Sequence, residues 1–351
     1  MTETILLVGH GSRDPGGNGN REVEEFAQRW RERHPDWNIQ VSFIEFAYRL
    51  VEEGLALAAQ DADRVIVVPL ILNAAGHVKM ELPELVAAAR TRFPATDFVY
   101  VPHLGSEAAI LAILKRRLHQ AMHQLDRPDP QTTGVILLGR GSSDPMANGE
   151  VAKMARWLFE ATRHDLVDIA FTGVTYPRLE RTVQRQSLLG MTQIVVLPYY
   201  LFTGTLFERI QRQVNHLERQ YPRLRFALAD YFGFEPEIFA LVDQRVRDGR
   251  AGTGALPCDG CKYREWARDE GHRHGHGPEH GHGHQHEEAH AHECGHGHRH
   301  EHRHEHGHGH EHGHGHGSGH GHELGHGFRH EQGQGQKHQQ DLSHPHPATL
   351  L

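Results

Sequence analysis

Short runs of apolar residues alternate along most of the chain with longer segments whose apolar residues recur at helical spacing. The short runs have the length of buried strands, and the spacing in the longer segments predicts amphipathic helices. In the first part of the chain, the predicted strands are 4–9, 39–46, 64–69 and 97–101, and the predicted helices are 20–33, 49–60, 80–93 and 106–123. This alternation predicts an α/β fold in which helices cover both faces of a parallel sheet.

The pattern then starts again, which indicates an internal duplication. Residues 135–145 repeat residues 5–15, with Asn148 matching Asn18, and the offset between the copies stays near 130 residues. The second copy supplies predicted strands at 133–139, 168–175, 193–198 and 225–229, with a closing helix at 235–248. Such a repeat predicts two tandem flavodoxin-like units that face a central cleft, which is a common place for a ligand.

The segments outside the two units have a different composition. Of the 35 histidines, 27 lie between His272 and His346, separated mainly by Gly and Glu. A segment with so little apolar surface is predicted to be disordered without metal and to bind divalent metal ions. The predicted organisation is unit 1 (1–124), a polar and Pro-rich linker (125–132), unit 2 (133–250), a Cys-x-x-Cys segment (251–265) and a His-rich tail (266–351).

The charge balance and apolar content exclude several classes of protein. The net charge is −8, yet the chain before the tail carries 31 basic and 33 acidic residues, so no basic surface for nucleic acid is expected. No apolar stretch approaches the roughly 18 residues of a membrane span, so no membrane partner is expected. The first residues show no signal peptide, which favours a cytoplasmic protein. There the three cysteines are expected to be thiols or metal ligands rather than a disulfide framework.

Three potential metal ligands stand at or near the predicted strand ends of the first unit. These are His10, Glu45 and His77. The matching positions of the second unit hold Arg140, Gly173 and Thr205. Two imidazoles and a carboxylate suit an open site for a divalent transition metal, with positions left for water or substrate. The alternative is a set of structural polar residues, but such residues would not be expected to disappear together from the second copy.

Four further residues are candidates for supporting roles. Glu81 either orients the His77 imidazole from behind or is a charge favoured at a helix N-terminus. Ser12 and Arg13 belong to a Gly-rich stretch that lacks the Gly-Lys-Ser/Thr end of a phosphate loop and the Gly-x-Ser-x-Gly of a nucleophile elbow. They are therefore considered only as substrate contacts. Arg140 either pairs with a substrate carboxylate or is a surface arginine.

These motifs carry a family resemblance. In chain order, Gly9-His10-Gly11-Ser12, Glu45-Phe46-Ala47, and Gly76-His77 with Glu81-Leu82-Pro83 resemble the class II tetrapyrrole chelatases. With the duplicated body, the Cys-x-x-Cys and the His-rich tail, the chain is similar to the long CbiX-type sirohydrochlorin cobaltochelatases. The resemblance implies ATP-independent insertion of Co²⁺ into sirohydrochlorin, on the anaerobic route to cobalamin.

The resemblance also implies roles for individual residues. His10, His77 and Glu45 would bind the metal, and Glu81 departs from a family that often has aspartate at this position. Two pyrrole protons must leave the macrocycle, and an imidazole suits their removal at neutral pH. We therefore expect His10 to act in turn as ligand and as base, with His77 as its partner.

Cys258 and Cys261 form a Cys-x-x-Cys pair, a spacing that suits two ligands of one metal or cluster. Cys294 is the third cysteine, so a [4Fe–4S] cluster would need a histidine, an external ligand or a second subunit as well. The family resemblance favours such a cluster. A redox-active dithiol and a Zn²⁺ site shared with tail histidines are the alternatives.

Three functions follow from these observations. The first is cobalt insertion into sirohydrochlorin, with the tail as a reservoir of divalent metal or as a passive buffer. The second is iron insertion into the same macrocycle toward sirohaem, which needs the same ligands. The third is metal storage or metal delivery, in which the tail is the function and the body a scaffold. The expected partners are sirohydrochlorin and a divalent metal, and the chain is expected to act as a monomer or a homodimer.

Overall fold

The structure, a computed structural model, describes residues 2–13, 17–126 and 128–253. The first half contains four strands and four α-helices, with a π-helical turn before the third helix. These elements are β1 (Glu3–Gly9), α1 (Asn18–Arg33), β2 (Asn38–Phe43), α2 (Val51–Gln60), β3 (Arg64–Pro69), the π-helical turn (His77–Glu81), α3 (Leu82–Arg92), β4 (Asp97–Tyr100) and α4 (Ala108–Met122). None of the helices among the described residues combines the length and the apolar composition that a membrane span requires.

The second half repeats the order of strands and helices, without the π-helical turn. Its elements are β5 (Thr133–Gly139), α5 (Pro145–Glu160), β6 (Val167–Phe171), α6 (Leu179–Leu188), β7 (Gln193–Pro198), α7 (Thr205–Gln220), β8 (Arg225–Leu228) and α8 (Pro236–Ala251).

Each half has its own four-stranded parallel sheet. The strand order is β2-β1-β3-β4 in the first sheet and β6-β5-β7-β8 in the second. Ile5 of the central strand β1 is level with Ile39 and Ile66 of its neighbours, and all three side chains are buried. Burial on both faces explains why the strands are continuous apolar runs. The strand order is the flavodoxin-like one, so the predicted α/β fold of two tandem units is confirmed.

Two strands end three or four residues earlier than the sequence predicts. β2 stops at Phe43 because the chain then doubles back, and the Phe43 amide donates to the Arg49 carbonyl oxygen at 3.0 Å. β6 stops at Phe171 for the same reason, with the Phe171 amide donating to Pro177 O at 2.9 Å. Glu45 therefore lies in a loop just beyond the strand that it was predicted to end.

The last helix of each half packs against the sheet of the other half. α4 lies over β7 and β8, whereas α8 lies over β3. At Gly249 of α8, an added Cβ would lie only 2.8 Å from Val101 Cγ1, so the helix needs glycine to approach this sheet closely. Phe239 of α8 stacks on Phe26 of α1, with ring centroids 4.2 Å apart. This exchange, which no pattern in the sequence predicts, joins buried residues of both halves into one continuous apolar core.

Polar contacts tie together the loops that follow the strands of the two sheets. Glu22 accepts hydrogen bonds from the Tyr231 hydroxyl at 2.6 Å and from the Thr203 amide at 2.8 Å. Lys79 Nζ lies 2.5 Å from Asp144 Oδ2, and the Asp144 side chain is almost completely buried. The carboxyl ends of the two sheets therefore face each other, which is where parallel α/β sheets bind ligands.

Candidate metal centre

His10 follows β1 directly, and the backbone around it requires a glycine. Gly11 has φ +89°, and a Cβ at this position would stand 1.6 Å from the carbonyl oxygen of Glu45. The amide of Glu45 in turn donates to the carbonyl oxygen of His10 at 3.1 Å. Gly11 therefore allows the loop after β2 to lie directly against the loop after β1, which brings Glu45 beside His10.

The structure brings the three predicted ligands together. His10, Glu45 and His77 each offer one ligand atom, and these atoms all lie within 4.8 Å of one another. The His10 and His77 rings meet edge to face, with centroids 5.0 Å apart, and Glu45 Oε1 lies 3.6 Å from His10 Nδ1. Among the described residues, this is the only group of three histidine, cysteine or acidic side chains with such geometry. All three are half-buried, so a metal ion held here would keep one side open to substrate.

His10 is in its neutral form at physiological pH. Burial, and next the charge of Arg140, lower its pKa to about 4. Its Nδ1 lies 3.1 Å from the carbonyl oxygen of Gly11, and its Nε2 lies 3.0 Å from Nη1 of Arg140. A carbonyl oxygen only accepts and a guanidinium only donates, so the proton is on Nδ1 and Nε2 carries the lone pair. This is the tautomer that can bind a metal through Nε2.

His77 is held differently, by a carboxylate. It opens the π-helical turn, whereas the helix predicted from the sequence starts only at residue 80. The turn puts Glu81 Oε2 2.6 Å from His77 Nδ1. This hydrogen bond is the main cause of a raised pKa for His77. A carboxylate partner on Nδ1 leaves Nε2 for a metal and makes the imidazole a stronger base.

The second half keeps the backbone of this site and lacks its ligands. Gly141 also has φ +89°, and a Cβ there would stand 2.1 Å from the carbonyl oxygen of Gly173. The amide of Gly173 donates to the carbonyl oxygen of Arg140 at 2.9 Å, as that of Glu45 does to His10. Thr205 opens α7, in the place where His77 opens the π-helical turn. Only the first copy therefore carries the three candidate metal ligands.

Ser12 and Arg13 line the same loop as His10. The Ser12 amide donates to Asn20 Oδ1 at 2.8 Å, and the Arg13 guanidinium lies 4.0 Å from the centre of the Phe46 ring. In the second half, the Ser142 amide donates to Asn148 Oδ1 at 3.0 Å. The structural counterpart of Asn148 is therefore Asn20, and the predicted match with Asn18 is wrong, because the first copy has two more residues in this loop.

Two relationships at this site were not predicted. Arg140 touches His10 across the two halves, although its sequence position alone is equally compatible with a surface arginine. Lys79 reaches from the π-helical turn to the buried Asp144 of the other half. The internal repeat is the signal for the first contact, because it places Arg140 at the position equivalent to His10. The second has no sequence signal.

Three predicted elements lie outside the described residues. They are the segment with Cys258 and Cys261, Cys294, and the His-rich tail from 266 to 351.

Comparison with known proteins finds the same family in both halves of the chain. The CbiX family profile matches the chain twice, over residues 4–121 and 134–249. The chain is 37% identical over 263 residues to a sirohydrochlorin cobaltochelatase from Priestia megaterium, covering 75% of this chain and 85% of that protein. It is 30% identical over 269 residues to a sirohydrochlorin ferrochelatase from Bacillus subtilis (strain 168), covering 75% of this chain and 98% of that protein.

A solved structure with the same fold is the sirohydrochlorin chelatase SirB from Bacillus subtilis subspecies spizizenii in complex with cobalt. It is 27% identical to this chain with a TM-score of 0.59, and the match covers 72% of this chain and 97% of SirB. Both halves of the chain match the same family profile, and the resemblance to class II chelatases is confirmed. This chain belongs to the CbiX family of metal chelatases.

Proposed function

We propose that the protein inserts Co²⁺ into sirohydrochlorin without ATP, as a step of cobalamin biosynthesis by the anaerobic route. The observation that carries this proposal is the set of ligand atoms from His10, Glu45 and His77, which lie within 4.8 Å of one another. Relatives named as sirohydrochlorin chelatases support the choice of macrocycle. The absence of a phosphate-loop motif from the Gly-rich stretch after His10 supports a reaction without nucleotide.

The metal is a substrate that must lose water before it enters the macrocycle. Two neutral imidazoles and a carboxylate replace part of its hydration shell and leave the remaining positions free. Neutral His10 suits this role because its lowered pKa, about 4, removes competition from protons at physiological pH. Loose coordination by three groups also allows the ion to leave for the four nitrogens of the ring.

The macrocycle must lose two pyrrole protons as the metal enters. His77 is the better acceptor, because its hydrogen bond to Glu81 raises its pKa above the ordinary value of a histidine. His10 has too low a pKa to act as an effective base, although the sequence suggested it for that role. We therefore assign the metal mainly to His10 and Glu45 at the moment of proton transfer, and the proton to His77.

Ser12, Arg13 and Arg140 are proposed as contacts to the carboxylates of the macrocycle. The guanidinium groups of Arg13 and Arg140 suit paired hydrogen bonds to a carboxylate. Both lie in the loops that follow the first strand of each half, with Arg140 against His10 and Arg13 over the ring of Phe46. The carboxyl ends of both sheets meet within a single chain, so we propose that a monomer completes the cleft.

The identity of the inserted metal needs a test of its own. A cobaltochelatase and ferrochelatases are among the relatives, so iron insertion toward sirohaem is the second candidate.

We further propose a [4Fe–4S] cluster at Cys258 and Cys261, to be tested by iron and sulfide analysis of anaerobically purified protein. Cluster-free protein with full chelatase activity would contradict it.

The tail is proposed as a reservoir of divalent metal. Deleting residues 266–351 is expected to leave the rate unchanged at saturating Co²⁺ and to lower it when Co²⁺ is scarce. If the shortened and the full-length protein had equal rates at every Co²⁺ concentration, the tail would only buffer metal ions and would not supply them to the site.

The central experiment mixes the purified protein with sirohydrochlorin and Co²⁺, Fe²⁺ or Ni²⁺ in turn, and follows the absorbance of the macrocycle. Insertion of Co²⁺ at a rate well above that of the uncatalysed reaction is expected, and the double variant His10→Ala/His77→Ala is the control. Faster insertion of Fe²⁺ would favour the ferrochelatase. No insertion of any metal, combined with tight metal binding by the tail, would favour metal storage.

A further inference from the structure

Arg140 contacts His10 at the ring nitrogen through which His10 would bind a metal ion. It follows β5 in the second half, at the position equivalent to His10, and its Nη1 lies 3.0 Å from His10 Nε2. Within the described part of the chain, no carboxylate oxygen lies within ion-pair distance of this guanidinium. The positive charge therefore rests against a neutral ring, although carboxylates stand nearby on the facing loops.

The contact occupies the lone pair that the metal needs. Nδ1 of His10 lies 3.1 Å from the carbonyl oxygen of Gly11, which fixes the proton on Nδ1 and the lone pair on Nε2. A guanidinium hydrogen and a metal ion cannot share one lone pair. His10 can enter the coordination shell through Nε2 only after Arg140 has moved away.

A carboxylate from the substrate is the group best suited to move it. A guanidinium forms two parallel hydrogen bonds with a carboxylate, in which both partners are charged, whereas its bond to the neutral His10 ring is single and has one charged partner. The Arg140 side chain is exposed, so it can turn toward a bound ligand without disturbing the core. A macrocycle that carries several carboxylates offers this partner at the same cleft.

We propose that Arg140 is a carboxylate-binding latch, which blocks His10 until a carboxylate of the macrocycle draws it away. This inference rests on the proposed function, because it takes the macrocycle as the ligand. It makes metal binding and macrocycle binding mutually favourable, because each ligand gains from the same movement of Arg140. The three ligands then bind the metal more tightly when the acceptor of that metal is in place.

The test uses the full chain in three forms: wild type, Arg140→Gln and Arg140→Lys. The readout is deuterium exchange at the imidazole C2 position, mapped by mass spectrometry onto the peptides that contain His10 and His77. Co²⁺ is titrated without macrocycle, and bound metal slows the exchange. His216, an exposed histidine on α7, is the internal reference, and mapping each peptide separates the body from the tail histidines.

Without the latch, the Co²⁺ concentration that half-protects His10 is expected to fall by about fivefold or more, within the usual range of coupling between sites. Lysine keeps the charge, but its shorter side chain places its donor short of His10, so Arg140→Lys is expected to shift the midpoint in the same direction. An unchanged midpoint in Arg140→Gln would overturn the latch. A shift in Arg140→Gln without any shift in Arg140→Lys would reduce the effect to charge repulsion and also overturn it.

The carboxylate half of the proposal has its own readout. Both variants are expected to raise the KM for sirohydrochlorin by about tenfold, because the guanidinium pair to a carboxylate is lost. An unchanged KM would contradict carboxylate binding by Arg140. If the wild type inserts no metal at all, the proposed function fails, whereas the exchange titration still reports whether Arg140 blocks His10.

Discussion

Glu81 and His77 form a close polar contact at the candidate metal centre, with Oε2 of the carboxylate 2.6 Å from Nδ1 of the imidazole. The two residues are four apart in the π-helical turn, and both side chains are only partly exposed. The carboxylate therefore fixes the orientation of the ring and raises its pKa, while the same bond keeps Nε2 directed away from the helix.

Replacing Glu81 with Gln is expected to lower the pKa of His77 and to reduce insertion by about tenfold, since the base becomes weaker. The acid limb of the pH–rate profile should shift to lower pH, because that limb reports protonation of His77. Steady-state rates measured across the pH range check both effects. A lower rate with an unshifted acid limb would mean that Glu81 acts only on the position of the ring.

The same variant has a pH-dependent effect on stability. The pKa of His77 is raised in the folded state, so the stabilisation from this pair is fully present below the pKa of an unfolded histidine, about 6.5. It is lost as the pH rises through the raised value. Glu81→Gln should therefore lower the free energy of unfolding by about 1 kcal/mol near pH 5.5 and by less at alkaline pH. Urea denaturation at the two pH values measures the difference, and equal losses would contradict the linkage.

Single replacements of His10, His77 and Glu45 are expected to reduce Co²⁺ insertion by about a hundredfold or more, because each removes one of three ligands. Ala at the histidines and Gln at Glu45 keep the fold, since these side chains are partly exposed and lie outside the strands. His216→Ala on the exposed face of α7 is the matched control and should retain the wild-type rate. Near-normal insertion by both histidine variants would show that His10 and His77 are not needed to bind the metal.

Gly11 and Gly17 provide a matched pair of glycines with positive φ in the same loop region. At Gly11 a Cβ would collide with the backbone of Glu45, whereas at Gly17 it would meet no atom of the described residues within 4 Å. Gly11→Ala is expected to cost about 3 kcal/mol or more in stability and to displace Glu45, and Gly17→Ala only about 1 kcal/mol from its φ of +65°. Thermal unfolding and the Co²⁺ titration measure the two effects. Similar losses in both variants would show that the close approach of the loops is unimportant.

Lys79 and Asp144 allow a test of how the halves are joined. Removing the lysine leaves the buried Asp144 carboxylate with the backbone amide of Met146 as its other described donor. Lys79→Met is expected to lower the free energy of unfolding by about 3 kcal/mol, because an uncompensated charge remains buried. The double variant Lys79→Met/Asp144→Asn should recover part of this loss, since asparagine can still cap α5 without a charge. No recovery would assign the loss to packing of the lysine chain instead.

Much of the fold follows from patterns that local physics imposes. Strands buried on both faces must be continuous apolar runs, so their number and order in the chain are visible in the sequence. The duplication also reveals the candidate ligands, because His10, Glu45 and His77 stand where the second copy has Arg140, Gly173 and Thr205.

The remainder depends on contacts between segments that are distant in the chain. The short end of β2 is set by a backbone bond from Phe43 to Arg49 across a loop with two non-glycine residues at positive φ, Phe46 and Arg49. The π-helical turn at His77 has the same composition as an ordinary helical turn. The contact of Arg140 with His10 joins residues 130 positions apart, and the internal repeat is its one signal in the sequence.

The exchange of α4 and α8 between the two sheets has a consequence for any shorter form of this protein. A fragment that ends after α4 would carry a helix that packs on the other sheet, and the face of its own β3 that α8 covers would be exposed. Two such fragments could cover each other reciprocally, as in a domain-swapped pair. The present chain is then equivalent to such a pair fused end to end. In a fused pair, one copy can supply all the metal ligands of the cleft. The other copy can then carry a different residue at the equivalent position, as Arg140 does opposite His10.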